Sequence, residues 1–235
     1  GYSLDQRDAL YKAATKSGYK KEFLEKTGLV IAYDNGGVND RFRGRVIFPV
    51  HTLSGKVVAF GGRVLKKDEK TAKYVNSPES EIYHKSNELY GIYFAKQAIV
   101  KADRCFLVEG YTDVISMHQA GIDTAVCACG TALTPDQIKL ISQYADEVIL
   151  SYDSDEAGQK ATLRSLELFR NSPVRVGVLQ IPGAKDPDEY IKKYGADRFK
   201  ALLDGVGNAL DFRLGRLRSQ YDLKQDAQRL EYVKE

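Results

Sequence analysis

SYDSDEAGQKAT, residues 151–162, follows the apolar run VIL and precedes LRSLELF, so the chain passes there from a strand through two aspartates into a helix. Successive strand side chains face opposite ways, and Asp153 and Asp155, two apart, share one side. At the carboxyl end of a strand they project into the crevice where open α/β sheets bind ligands. Two neighbouring carboxylates repel unless a positive group sits between them. Mg²⁺ prefers oxygen ligands and is commonly held by one or two carboxylates plus substrate phosphates. A plainer reading stands beside this one: Asp155 as the N-cap of a helix and Asp153 as a solvated turn residue.

The surroundings of this stretch set the fold class. From residue 103 strands and helices alternate: CFLVEG, then YTDVISMHQAG; DTAVCACG, then TPDQIKLISQYA; EVILSYD, then EAGQKATLRSLELFRN; VRVGVLQI, then DPDEYIKKYG. Four short apolar strands with intervening helices predict a parallel sheet with right-handed crossovers. From residue 196 onward only helical patterns are read. Upstream, residues 3–27 read as two short helices with Gly18 and Gly28 at C′ positions. RVIFPV and KVVAFGG read as a β-hairpin turning at Ser54 and Gly55, with Pro49 marking an edge or a bulge. Residues 66–86 read as an ordered polar loop, and NELYGIYFAKQAIVKA as a helix capped by Asn87. The expected class is therefore α/β: an N-terminal mixed α/β subdomain (1–100), a Rossmann-like parallel sheet (101–182, its acidic site extending to 188) and a C-terminal helical subdomain (183–235).

Composition narrows the function. The net charge is +3, but residues 41–73 hold nine basic and two acidic side chains, whereas residues 101–235 hold 18 basic and 21 acidic. A basic block beside an acidic half suits a polyanion held against metal-binding carboxylates, although a solvated basic face is common. No apolar run reaches the length of a membrane helix, and the opening GYSLDQRD is not a signal peptide. Cys105, Cys127 and Cys129 lie in apolar surroundings; their odd count suggests reduced thiols in a cytosolic protein, and the C-x-C spacing without a second Cys or His pair favours buried strand residues over zinc. His51, His84 and His118 show no ligand spacing.

Three strand ends carry acids. CFLV ends in Glu109-Gly110, with Asp113 four residues on; VILSY ends in Asp153-Ser154-Asp155; VLQI runs into PGAKDPDEY with Asp186 and Asp188. All three junctions fall at one edge of a parallel sheet, where active sites of such folds form. Helix capping accounts for part of the pattern.

VEGYTD, YDSDEAG and KDPDEY together resemble the Toprim domain, the metal-binding α/β module of bacterial primases, topoisomerases and some nucleases. Ser154 and Ala184 stand where that family often has Gly. RFRGRVIFPV, FGGR, KYVNSPES and YHKSNELYG extend the likeness to the RNA polymerase domain of DnaG-type bacterial primases, over essentially the whole chain. The resemblance implies DNA-templated synthesis of short RNA primers from ribonucleoside triphosphates, at a replication fork in the bacterial cytoplasm. It implies Glu109, Asp153 and Asp155 as principal ligands of Mg²⁺ (or Mn²⁺), with Asp186 and Asp188 supporting a further ion and Asp113 beside the nucleotide. It also implies a nucleotide and template groove at Arg63, Lys73, Tyr74, Asn76 and Lys85. Arg41, Arg43 and Arg45 alternate along the first hairpin strand and are expected to line template phosphates from one face. Neither the zinc module nor the helicase-binding domain of such primases is read in these residues, so the chain is expected to be a catalytic core cut from a longer enzyme, reaching the replicative helicase through a part not included. A topoisomerase, a Toprim nuclease and a non-enzymatic nucleic-acid clamp share the acidic motifs but do not account for RFRGRVIFPV with KYVNSPES.

Overall fold

The computed structural model describes residues 1–65, 71–128, 130–222, 225, 228, 229, 232 and 233. The chain divides into two compact units: Gly1–Tyr93 with the short segment around Gly130, and Phe94–Ala128 continuing from Ala132. Residues from 183 onward, read from the sequence as a subdomain, fall in the second unit.

The first unit opens with β1 (Tyr2–Ser3), α1 (Ala9–Lys16) and α2 (Lys21–Lys26), followed by β2 (Val30–Ala32), β3 (Val38–Asp40), β4 (Arg45–His51), β5 (Val57–Val64) and β6 (Tyr74–Asn76). Gly18 and Gly28 end the two helices in the left-handed region, at φ +88° and +68°. Asp8 makes no capping bond to α1. The buried Asp40, at the end of β3, instead accepts from the backbone N–H groups of Leu10 and Tyr11, at 2.6 and 3.0 Å. Leu24, Val30 and Val38 form a small core beneath these helices, joined by Tyr11, Ala14 and Leu29.

β1, β4, β5 and β6 form an antiparallel sheet in that order, and β2 pairs with β3. Pro49 sits in β4, which has a neighbour on each side. The β1 register covers only Arg45 and Val46, so Pro49 lies past the end of β1. A register shift follows at Val50 and His51. The hairpin therefore holds, with Pro49 on a locally open side as its missing N–H requires.

LVIAYDNGGVND, to which the sequence reading assigned no element, carries the β2–β3 hairpin, because Tyr33 and Gly37 close a tight turn over Asn35. Two readings are corrected. Tyr74–Asn76 pairs with β5 rather than lying in a loop. The helix expected from Asn87 begins at Ile92, since Gly91 is left-handed (φ +91°) and breaks the turn before it. Part of the expected 66–86 loop, residues 66–70, lies outside the described residues.

The second unit begins within α3 (Ile92–Ala102) and continues β7 (Arg104–Val108), α4 (Tyr111–Gln119), β8 (Ala125–Cys127), α5 (Pro135–Ile141), β9 (Glu147–Leu150), α6 (Glu156–Phe169), β10 (Arg175–Val178), α7 (Pro187–Tyr194), α8 (Ala196–Leu202), β11 (Gly207–Asn208) and α9 (Ala209–Arg218). β7 to β10 are parallel and stand in the order β8-β7-β9-β10; β11 adds antiparallel to β10. β11 corrects the all-helical reading beyond residue 196: Gly207 and Asn208 pair with Val178 and Gly177 before Asn208 caps α9. Val108, Val148, Ile149 and Leu150 are wholly or almost wholly buried, as expected for strands covered on both faces. The sequence starts α5 with a capping box of Thr134 and Gln137 and with Pro135 in the first turn. The expected C-terminal helix DAQRLEYVKE falls largely outside the described residues.

Cys105 is a buried free thiol whose pKa is driven far up by desolvation. Cys127 is also buried in its strand, as the apolar surroundings predict. Cys129 lies outside the described residues. The His118 Nε2 bonds the Ala125 carbonyl at 2.9 Å and fastens α4 to β8. No helix among the described residues is long and apolar enough to cross a membrane.

Candidate active site

The strand order β8-β7-β9-β10 fixes where chemistry gathers. The chain leaves β7 toward one side to form β8, then returns across it to form β9 on the other side. The carboxyl ends of β7 and β9 therefore flank a topological switch point, where the flanking loops diverge and leave a crevice. Glu109 follows β7 and Asp153 follows β9. Leu107 pairs with Leu150, and the Ser151 N–H reaches the Leu107 carbonyl at 2.9 Å, so the two acidic ends advance side by side. The Asp153 N–H donates to Glu109 Oε1 at 3.0 Å.

Asp155 is the N-cap of α6: its Oδ1 accepts from the Gly158 N–H at 2.9 Å. The plainer reading of this residue is thus correct but incomplete, because its other oxygen faces a cation. Lys185 Nζ lies 2.9 Å from Asp153 Oδ2 and 3.1 Å from Asp155 Oδ2. The two aspartates converge on one positive charge. Hydrogen bonds to Asp153, then to Asp155, hold the Lys185 ammonium far above the ordinary lysine range. Asp155 is pulled below the usual carboxylate range, first by the Gly158 N–H and then by Lys185. Asp153 moves upward, because its partial desolvation outweighs Lys185. Glu109 is also raised, by desolvation and then by the Asp153 charge.

Asp113, in the first turn of α4, is buried and accepts from the Gly110 N–H at 3.0 Å and the Asp188 N–H at 3.3 Å. Burial, reinforced by the nearby Asp186 charge, raises its pKa to about 7. Below an ordinary aspartate pKa both folded and unfolded chains hold this proton; between there and about 7 only the folded chain does. Stability is therefore expected to fall as pH rises through that window, by roughly 4 kcal/mol if the full shift is realised. Urea midpoints measured from pH 4.5 to 8 in wild type and Asp113→Asn test this: the variant should lose part of the slope. An identical slope in both would remove Asp113 as its source.

Asp186 caps α7, accepting from the Glu189 N–H at 2.7 Å. Asp188 pairs with Lys192 at 2.6 Å through one oxygen and accepts from the Ser116 hydroxyl through the other. The Asp186 charge raises the pKa of both Asp113 and Asp153. A cavity of about 610 Å³ opens beside Asp153, with Tyr152, Gln159, Leu179, Asn208 and Phe212 in its wall.

Among the described residues, no three His, Cys, Asp or Glu side chains converge into a ready-made metal cage. The donor set suits a divalent cation in another way: two carboxylates already hold a positive charge between them, and substrate oxygens commonly complete such spheres.

The basic residues of the first unit separate into different roles. Arg41 and Arg43 precede β4 in a turn at Gly44, so the three arginines do not share a strand face. Arg41 Nε donates to the Gly28 carbonyl at 2.7 Å. Arg43 is exposed and pairs with Asp5 at 3.2 Å. Arg45 is buried, donating to the Gly62 and Lys73 carbonyls, each at 3.2 Å. Gly62 permits this, since a Cβ there would meet Phe42 and Arg45 within 3.0 Å. Arg63 and Lys73 stand over the Tyr74 ring, 5.6 and 5.8 Å from its centre. Asn76 ends β6 beside them, and Lys85 lies in the following loop, half-buried.

Two residues of the site were not singled out from the sequence. Lys185 had a signal: it stands directly before Asp-Pro-Asp, where a cation faces a strand-end acid pair. Gly158 had another, a glycine in the first turn of a helix where alanine would be favoured. A Cβ on Gly158 would lie 2.1 Å from the Asp153 carbonyl oxygen.

Residues 1–96 match the family described as DNA primase catalytic core, N-terminal domain, and residues 106–191 match the Toprim-like family. The DNA primase of Clostridium acetobutylicum is 43% identical over 235 residues, covering 100% of this chain and 39% of that protein. The chain thus spans about two fifths of the length of such curated relatives. Among solved structures, a DNA primase domain from Pseudomonas aeruginosa superposes with a TM-score of 0.87 at 34% identity, over 99% of this chain and 73% of that one. The DnaG primase catalytic domain bound to single-stranded DNA gives a TM-score of 0.83 at 34% identity, over 100% of this chain and 76% of that one. Motifs, mixed α/β architecture and both halves of the chain agree: it belongs to the family of DnaG-type bacterial DNA primase catalytic cores.

Proposed function

We propose that this chain carries the nucleotidyl-transfer centre of a bacterial primase, joining ribonucleoside triphosphates into short RNA primers on single-stranded DNA. The observation that supports this best is the convergence of Asp153 and Asp155 on one cation, beside Glu109, at the switch point of the parallel sheet. Asp153 and Asp155 would hold Mg²⁺, with Glu109 and Asp186 as the acids nearest to a further ion. Asp188, engaged through both oxygens, is better suited to positioning α7. When bound, the metal neutralises charge developing on the transferring phosphoryl group and activates the attacking 3′ hydroxyl.

The residues of the chain do the rest. Glu109 fixes the turn that presents Asp153 through its bond to the Asp153 N–H. The cavity beside Asp153 offers room for a nucleotide. In the first unit, Arg43, Arg63, Lys73 and Lys85 would contact template or triphosphate oxygens, Tyr74 would stack a base, and Asn76 would hydrogen-bond there. Arg41 and Arg45 would act indirectly, by shaping the backbone they bind. Ribonucleoside triphosphates and the RNA primer complete the proposed partners, in the bacterial cytoplasm; a replicative helicase and a zinc module belong to the same proposal for the longer enzyme.

Incorporation of labelled ribonucleotides that depends on both template and Mg²⁺ tests the reading. DNA cleavage in place of incorporation would identify a nuclease, and binding without either a clamp. Single-stranded DNA binding is expected to weaken with salt through counterion release. Arg43→Glu should reduce DNA affinity about three- to tenfold at low salt and leave divalent-ion binding unchanged. Equal affinities in a fluorescence-anisotropy titration would make Arg43 a solvated side chain without a template role.

A further inference from the structure

We propose that Lys185 is a built-in counter-cation: it occupies the place between Asp153 and Asp155 while no divalent ion is bound, and ion binding is an exchange in which the ammonium leaves. The inference rests on the reading of these aspartates as metal ligands. It goes beyond that reading by assigning a role to a residue outside the acidic set.

Lys185 is placed for this by its backbone. The Ser154 N–H donates to the Lys185 carbonyl at 2.8 Å, and the Ser154 hydroxyl donates to the neighbouring Ala184 carbonyl at 3.2 Å. The Lys185 N–H donates to Glu189 Oε2 at 2.7 Å. The loop before α7 is therefore stitched to the very turn that carries Asp153 and Asp155, and the lysine enters from a fixed point. Its side chain nevertheless remains 52% exposed, whereas that of Asp153 is 16% exposed. A flexible four-carbon stem with an open side can swing its head into water without disturbing either anchor.

The exchange follows from charge. Without a cation, two carboxylates aimed at one point repel. The ammonium relieves that repulsion and preserves the geometry of the pair. A divalent ion on the same two oxygens would lie within a few ångströms of the ammonium, and two positive charges cannot share that place. The ion brings twice the charge, so it can displace the lysine. A monovalent ion has no such advantage. The same residue thus keeps the site formed when empty and discriminates against singly charged ions.

Mn²⁺ binding to the 235-residue chain, followed by electron paramagnetic resonance, tests the exchange. Lys185→Met keeps the stem and removes the charge. It should bind Mn²⁺ about two- to fivefold more tightly than wild type, the factor expected from deleting a competing exposed ion pair. Unchanged or weaker binding by a folded Lys185→Met would overturn the proposal. A second measurement uses the unmodified protein: the rate at which an amine-acylating reagent labels Lys185, read by mass spectrometry. Labelling should speed up when Mn²⁺ replaces EDTA, because the displaced amine is freed; an equal rate would equally overturn the exchange. Asp153→Asn separates the two levels. If it binds Mn²⁺ as wild type does, the metal-ligand reading itself fails, whatever Lys185 does.

Discussion

Asp153→Asn is expected to lower template-dependent RNA synthesis on the order of 10²–10³-fold while leaving the fold intact. The substitution keeps volume and one acceptor oxygen but removes a charge from a largely buried side chain, where water screens little. The Asp153 N–H keeps its bond to Glu109, so the turn has no reason to move. Asp155→Asn should cause a comparable loss through the second ligand. Its helix should survive, because Asn caps as well as Asp and the Gly158 N–H still finds an oxygen. Synthesis assays combined with circular dichroism and Mn²⁺ titration check both variants. Near wild-type synthesis by either folded variant would remove that residue from the reacting centre.

Gly158→Ala is expected to damage the protein through a residue that carries no chemistry. In an unconstrained helix this change gains up to about 1 kcal/mol of propensity. Here the new methyl would lie 2.1 Å from the Asp153 carbonyl oxygen, 2.7 Å from its carbonyl carbon and 2.9 Å from its Cα. All three are backbone atoms, so no rotamer can relieve the overlap. Either α6 lifts or the Asp153 turn shifts. A net loss of about 2–3 kcal/mol, and a Tm lower by about 5–10 °C, should follow. Mn²⁺ affinity and RNA synthesis should fall with it, although every acid remains. Calorimetry showing an unchanged or higher Tm would mean that the helix does not approach the turn so closely.

The second unit was legible because its signals are local. Buried parallel strands read as apolar runs, and Thr134, Asp155 and Asp186 announce helix starts by capping. Their acids could be placed at one sheet edge by chain direction alone. Strand order was not legible, since nothing local in β9 says that it pairs with β7 rather than β8. The first unit was harder. β1, β2, β3 and β6 are two or three residues long and carry too few side chains for a period of two to show. Arg41, Arg43 and Arg45 displayed the right alternation, but Gly44 turns the chain between them and only Arg45 enters the strand. Lys185 was legible only in part: its place before Asp-Pro-Asp marks it, but its partners Asp153 and Asp155 are distant in sequence and are reached through the loop that Ser154 holds.

The placement of β9 beside β7 also governs when the site can exist. Glu109 and the Asp153 N–H that it accepts from are 44 residues apart. A ribosome delivers β7, then β8, and only later β9. Until β9 emerges, Glu109 has no companion, and the growing chain presents a sheet edge in place of a cation site. Domains are synthesised amino terminus first at about 5–20 residues per second, so this interval lasts several seconds. A divalent ion bound at the proposed site would therefore stabilise only the finished unit and could not template its early assembly.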